Sequence, residues 1–174
     1  MSSSAETPSI HWPPKFAPDR CKTHVSNELE MSVSATHVWS WLIHARQWPS
    51  YYNNAQNVVF ITDTESPILK ENTRFTWRTF GVNLESQVRE YVENERIAWD
   101  ARGSLGLLVY HAWLIVPRPD GGCWVRTEEM QLGLLARMSN TFFPNRMYTQ
   151  HQRWLERLQD MAKQGLPSEK EIPS

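Results

Sequence analysis

The stretch VYHAWLIVP, residues 109–117, sets one ionisable side chain inside an almost wholly apolar run. Strand side chains alternate faces. Val109, His111, Trp113 and Ile115 therefore share one face, and Tyr110, Ala112, Leu114 and Val116 share the other. A histidine beside a tryptophan on such a face is either a satisfied core group or part of a cavity wall. The next strand pattern, 122–132, carries Glu129. Counting outward from the turn at Asp120–Gly121 brings Glu129 near the level of His111, within cross-strand reach. A carboxylate beside an imidazole raises its pKa and fixes its tautomer. Such a pair can serve as a general base that removes a proton alpha to a carbonyl, the step that aldol-type ring closure or dehydration needs. If the strand phase slips by one residue, Glu128 takes the place of Glu129. For both residues, hydrogen bonding to a ligand and a plain buried polar contact stand beside catalysis as readings.

Other reactive patterns are absent from the sequence. It contains no G-x-G-x-x-G and no G-x-x-x-x-G-K-[ST], hence no phosphate-binding loop of those kinds. It has no H-E-x-x-H, and its six histidines do not pair at spacings typical of a metal site. No G-x-S-x-G elbow occurs. The two cysteines, Cys21 and Cys123, are far apart and match no zinc or redox spacing. Cys123 beside a Gly-Gly turn reads as a packed thiol rather than a nucleophile. Neither a metal nor another cofactor is expected.

The elements that must position these residues follow from periodicity. The segment 23–32 alternates Val25, Asn27, Leu29 and Met31 with polar neighbours and reads as a strand. Ser34 can cap a helix over 35–45, whose Val38, Trp41, Leu42 and Ala45 form one buried stripe, with Trp39 off it. Pro49 stops the pattern or starts a short second helix around 49–53. Strands follow at 56–65, 73–80, 82–92, 95–102, 106–117 and 122–132, with short links that imply antiparallel neighbours. The last segment, 134–164, is helical and divided at Pro144. In its second part Met147, His151, Trp154, Leu155, Leu158 and Ala162 form one face, which must lie on something apolar.

Composition bounds the class. The chain has 174 residues, enough for one domain with a real core, and is 40% hydrophobic. Its net charge of −1 gives no electrostatic reason for nucleic acid or an anionic membrane as partner. Nine tryptophans suit a core, an interface or an organic-ligand pocket equally well. The N-terminus lacks a signal-peptide pattern, and the longest apolar run, 105–117, is too short to span a bilayer. A cytoplasmic protein without stable membrane insertion is expected. Residues 1–22, rich in proline and serine, read as a flexible extension, although Trp12 and Phe16 could dock on the domain. Residues 165–174 read as a flexible tail.

These residues are familiar as a set. SATHVWSWLIHARQWPSYYNNAQNV, 34–58, resembles the helix and "W–P" turn that open START-like (SRPBCC, helix-grip) proteins, through Ala35, Val38, Trp39, Trp48 and Pro49. NTRFTWRTFG, 72–81, resembles the "aromatic–x–Trp" strand of that superfamily, and ERIAWDARG, 95–103, its "x–R–x–x–W" strand. HAWLIVPRPDGGCWVRTEE, 111–129, resembles its last hairpin. The likeness covers about residues 23–164 and is greatest to proteins of polyketide cyclase/dehydrase or lipid-transport type. It implies an α+β helix-grip fold: a seven-stranded curled antiparallel sheet around a long C-terminal helix, with two short helices after the first strand. It also implies an internal cavity for a hydrophobic or aromatic small molecule. No motif of a particular cyclase subgroup occurs, and the two-His, one-carboxylate pattern of the dioxygenase relatives is not matched.

The resemblance also implies which face looks inward. The expected lining is Phe75, Trp77, Thr79, Leu84, Trp99, Val109, Trp113, Thr127 and Gln131 from the sheet, with Met147, Trp154 and Leu155 from the helix. Trp77, Trp99 and Trp113 would form an aromatic wall. His111, Glu129 and His151 fall in the same space, where His151 could protonate a departing oxygen or anchor a ligand. The expected role is binding or carriage of a lipid- or polyketide-like molecule. The alternatives are a cofactor-independent cyclase or dehydratase using His111 with Glu129, and a solid domain acting through a partner surface. A homodimer is compatible with all three.

Overall fold

The structure is a computed structural model, and it describes residues 8–21, 23–142 and 145–168, with the side chains of 139 and 140 excepted. In chain order the elements are β1 Thr23–Met31, α1 Ala35–Ile43, α2 Trp48–Tyr51, β2 Gln56–Phe60, β3 Arg74–Thr79, β4 Val82–Val92, β5 Arg96–Arg102, β6 Leu108–Pro117, β7 Cys123–Leu132, α3 Leu134–Phe142 and α4 Arg146–Lys163. The strands make one antiparallel sheet in the order β1-β7-β6-β5-β4-β3-β2. Five of its six pairings are between consecutive strands, as short links require. The sixth, β1 with β7, brings the first strand home beside the last. Sheet twist curls the seven strands around α4.

Local chemistry accounts for the boundaries. Ser34 accepts a hydrogen bond from His37 N and starts α1. The β3–β4 hairpin turns through Phe80 (φ 52°) and Gly81 (φ 80°), both left-handed, as a tight two-residue turn needs. β2 is shorter than the pattern suggests, because 61–65 leave the sheet. The C-terminal helical segment is two helices; Pro144, expected to divide it, lies outside the described residues.

The α4 face holding His151, Trp154, Leu155, Leu158 and Ala162 is buried against the concave side of the sheet. Trp48, at the start of α2, completes the centre. Its ring lies 5.3 Å from Trp77, 5.4 Å from Trp99 and 5.1 Å from Trp154, while Trp113 lies 5.0 Å from Trp154. Trp39 lies off the expected stripe of α1 yet is buried, because Tyr91 at the end of β4 packs on it at 5.2 Å. Trp77, Trp99 and Trp113, expected to form an aromatic wall, all meet other rings in the buried interior.

The apolar outer face of β6 is explained by the N-terminal stretch. Phe16 and Cys21 are buried with Ala98, Tyr110, Ala112 and Met130, and Trp12 lies 5.7 Å from Tyr110. His11 Nδ1 contacts Glu90 Oε1 at 2.8 Å. Residues 8–21 thus form a strap across the sheet, where the sequence pattern suggests a flexible extension; residues 1–7 and 22 lie outside the described residues. The tail also bonds back, Gly165 O accepting from Trp41 Nε1 at 2.7 Å, and 169–174 lie outside the described residues. The rest of the outer face carries ion pairs such as Arg89–Asp100 and Arg126–Glu28.

Candidate functional site

Between sheet and helices, beneath α3, the interior opens at one end. A cavity of about 270 Å³ lies there, and Thr79, Phe80, Val82, Leu84, Leu107, Val109, Glu129, Gln131, Leu135, Met138, Phe142, Arg146 and Met147 line it. A wider groove of about 980 Å³ between α2 and α4 is lined mainly by polar residues and contains none of the expected site residues. The smaller cavity is mostly apolar and reaches a buried carboxylate, as small-molecule sites do.

Of the expected lining residues, the cavity brings together Thr79, Leu84, Val109, Gln131 and Met147, with Glu129 among them. Phe75, Trp77, Trp99, Trp113, Trp154 and Leu155 are not among its walls but in the packed interior, because Trp48 occupies the middle of the grip. Thr127 is buried behind His111. The α3 contribution was not anticipated, although Leu135, Met138 and Phe142 recur at i, i+3 and i+7, the spacing of one helix face. Phe80 is held at the cavity by Asn54, whose Oδ1 accepts from Phe80 N at 2.9 Å. The same Asn54 donates to Thr79 Oγ1 at 3.1 Å and Tyr52 Oη at 2.9 Å. Gly133 (φ 109°) joins β7 to α3, and a Cβ there would stand 2.3 Å from Gly106 O, so the close approach that seats α3 requires glycine.

Glu129 lines the cavity, and the other two ionisable residues, His111 and His151, are buried behind it. His111 and Glu129 are directly opposed on β6 and β7, as counting from the turn indicates, and the strand phase turns Glu129 inward while Glu128 pairs with His24 outside. His111 Nδ1 lies 3.2 Å from Glu129 Oε2, and His151 Nε2 lies 3.4 Å from the same oxygen. The two imidazole centroids are 4.8 Å apart. His111 Nε2 is 2.7 Å from Thr127 Oγ1, and Gln131 Nε2 donates to Glu129 Oε1. The relative exposures of His111, Glu129 and His151 are 1%, 6% and 1%, so all three depend on one another rather than on water.

Electrostatics runs against one expectation. Burial outweighs the neighbouring carboxylate and pushes the His111 imidazole down to about 3, so it is neutral near pH 7. For Glu129, burial acts to raise the pKa. The contact with His151, its largest lowering influence, together with the bond from Gln131, outweighs it and holds the carboxyl below its ordinary value. The centre is a carboxylate flanked by two imidazoles, with His111 a neutral base.

The histidine spacing also misled. His111 and His151 are 40 positions apart in sequence, yet the helix grip places one possible ligand atom from each, and one from Glu129, within 4.8 Å of one another. The expectation that no histidines gather at a metal-binding spacing holds for the linear sequence and not for the fold.

No protein-family model matches the chain, and no curated protein matches it. Solved structures do. A hypothetical protein from Helicobacter pylori, jhp0584, is 31% identical and superposes with a TM-score of 0.84 over 92% of this chain and 99% of that one. A START superfamily protein from Mycobacterium smegmatis superposes at TM-score 0.64, with 13% identity over 81% of this chain and 97% of that one. The chain has the START-like (SRPBCC, helix-grip) fold. Its helix-grip fold is shared as well with the di-domain ARO/CYC protein StfQ of steffimycin biosynthesis, at TM-score 0.67 and 11% identity over 82% of this chain and 51% of that one. Among the described residues, no helix of this START-like domain is long and apolar enough to cross a membrane.

Proposed function

We propose that this START-like domain binds a small, mostly apolar molecule in the cavity beneath α3, with the polar end of the ligand meeting Gln131 and Glu129. The observation that carries the reading is the cavity itself: apolar walls from β3, β4, β6 and α3 end on a buried carboxylate. Its volume of about 270 Å³ favours a compact aromatic or short-chain ligand of polyketide or lipid type over a long acyl chain. Carriage or sequestration is the primary role. The test is native mass spectrometry of the protein after exposure to a cell extract. A stoichiometric adduct released on denaturation and lost in Val109→Phe, which fills the cavity, supports the reading. No adduct in any extract favours a solid domain that works through a partner surface.

A second reading rests on the contact between His111 and Glu129. An imidazole beside a carboxylate is the pair that proton abstraction alpha to a carbonyl would use, with His151 on the same carboxylate oxygen, but burial makes His111 a weak base and sets this reading second. Recovery of a converted product in the same experiment, lost in His111→Gln with binding retained, identifies a cyclase or dehydratase. Binding without turnover leaves the carrier role.

A further inference from the structure

We infer that His111, Glu129 and His151 form a binding site for one divalent transition-metal ion of the zinc class at the inner end of the cavity. Both imidazoles approach the same oxygen, Glu129 Oε2, at 3.2 and 3.4 Å. Charge-assisted hydrogen bonds usually run about 2.7–2.9 Å, so both contacts are long for that purpose. These two contacts match the spacing of about 3.0–3.5 Å between neighbouring donor atoms around an ion with bonds of about 2.0–2.2 Å, while the three donors together span 4.8 Å, so the imidazoles must close on the ion as it binds.

Direction points the same way as distance. His111 Nδ1 is buried and has no hydrogen-bond partner, although Glu129 Oε2 is 3.2 Å away. An N–H on that nitrogen would not be aimed at the oxygen. The two imidazole planes lie 20° apart with centroids 4.8 Å apart, so a shared ion requires the rings to turn toward a point between them.

Two of the three donors carry the supporting contacts a metal site uses, while among the described residues His151 Nδ1 is buried without a hydrogen-bond partner. Thr127 Oγ1 takes the other nitrogen of His111, which leaves Nδ1 to present a lone pair. Gln131 takes the other oxygen of Glu129, which leaves Oε2 free. The three donors come from β6, β7 and α4, so the grip of sheet on helix fixes their separation. Two imidazoles and one carboxylate suit Zn²⁺ or Co²⁺; Mg²⁺ and Ca²⁺ prefer oxygen throughout. Glu129 also lines the cavity, so a fourth position would face the bound molecule. An apolar ligand ending in an oxygen donor would complete the shell. With an ion present the lone pair of His111 is committed, and the general-base role no longer applies.

The experiment uses the full chain, stripped with chelator and titrated with Co²⁺ while its visible absorption is followed, with Zn²⁺ as competitor. The expected result is one Co²⁺ per chain, intense absorption of a four-coordinate site, and displacement by Zn²⁺. Thr127→Val is expected to weaken binding by about 10- to 100-fold. Glu129→Gln and His151→Gln are expected to weaken it further, and His24→Ala, on the outer face, to leave it unchanged. Circular dichroism of each variant separates loss of the site from loss of the fold. The near-isosteric Glu129→Gln keeps the test decisive if His151→Gln unfolds. Absence of stoichiometric Co²⁺ and Zn²⁺ binding, or binding unaltered in Glu129→Gln, overturns the inference. Val109→Phe should remove the organic adduct and spare the ion, so failure of the ligand reading is distinct from failure of this one.

Discussion

Glu129 Oε2 stands between two imidazoles, 3.2 Å from His111 Nδ1 across the β6–β7 pair and 3.4 Å from His151 Nε2 on α4. One buried carboxylate oxygen is thus the meeting point of sheet and helix. Glu129→Ala would leave both imidazoles and the Gln131 amide facing an apolar gap. It is expected to destabilise the protein by about 2–4 kcal/mol, and Glu129→Gln by about 1 kcal/mol. Urea unfolding of the two variants in chelator-containing buffer checks this. Equal losses would mean that the carboxylate charge, and not the shape of the side chain, organises the centre.

The interior tryptophans are structural. Trp48→Ala is expected to cost about 3–5 kcal/mol or to prevent folding, since Trp77, Trp99 and Trp154 all pack on that ring. Trp99→Phe keeps most of the packing and should bind the same adduct as wild type in native mass spectrometry. A tenfold loss of adduct in a folded Trp99→Phe would return that ring to the cavity wall.

The strap contributes to stability from outside the grip. Phe16 is 7% exposed and packs on Tyr110 at 5.5 Å. Phe16→Ala should lower the unfolding free energy by about 2–3 kcal/mol without changing ligand or metal binding, because the strap lies on the opposite face of the sheet. Chemical denaturation of wild type and variant reads the difference. A shift below a few tenths of a kcal/mol would show that the strap does not hold the sheet.

Cys123 gives the alkaline limit. Burial pushes its thiol up from 9.0 to about 11, against a smaller lowering by Arg118. The fold therefore favours the neutral thiol. That contribution is intact below the unfolded value of 9.0 and is lost as pH rises through about 11. Wild type should lose melting temperature over that window more steeply than Cys123→Ala, and native Cys123 should resist a thiol reagent near pH 8. Parallel melting curves would assign the alkaline loss to other groups.

Much of this was legible in the chain. Period-two alternation and turn residues located every strand, and counting from Asp120–Gly121 paired His111 with Glu129 in the register observed. The order of aromatic motifs along 34–129 pointed to the helix-grip fold. Two features escaped because they depend on distant segments. The Trp48 ring reaches the centre only once α2 packs inside the curl. The strap was hidden because Pro8, Pro13, Pro14 and Pro18 signal an irregular chain, and irregular backbone can still bury Phe16 and Trp12.

The sequence by itself determined the faces: alternation and helical spacing decide which side chains point inward, since backbone geometry fixes those periods. Tertiary structure alone decided how the enclosed space is divided. Whether an inward tryptophan fills the core or walls a cavity depends on what arrives from the other side, and Trp48 and α3 come from separate parts of the chain. The third member of the polar centre follows the same logic. His151 meets Glu129 because α4 crosses the sheet at that level, a packing outcome that no local spacing encodes.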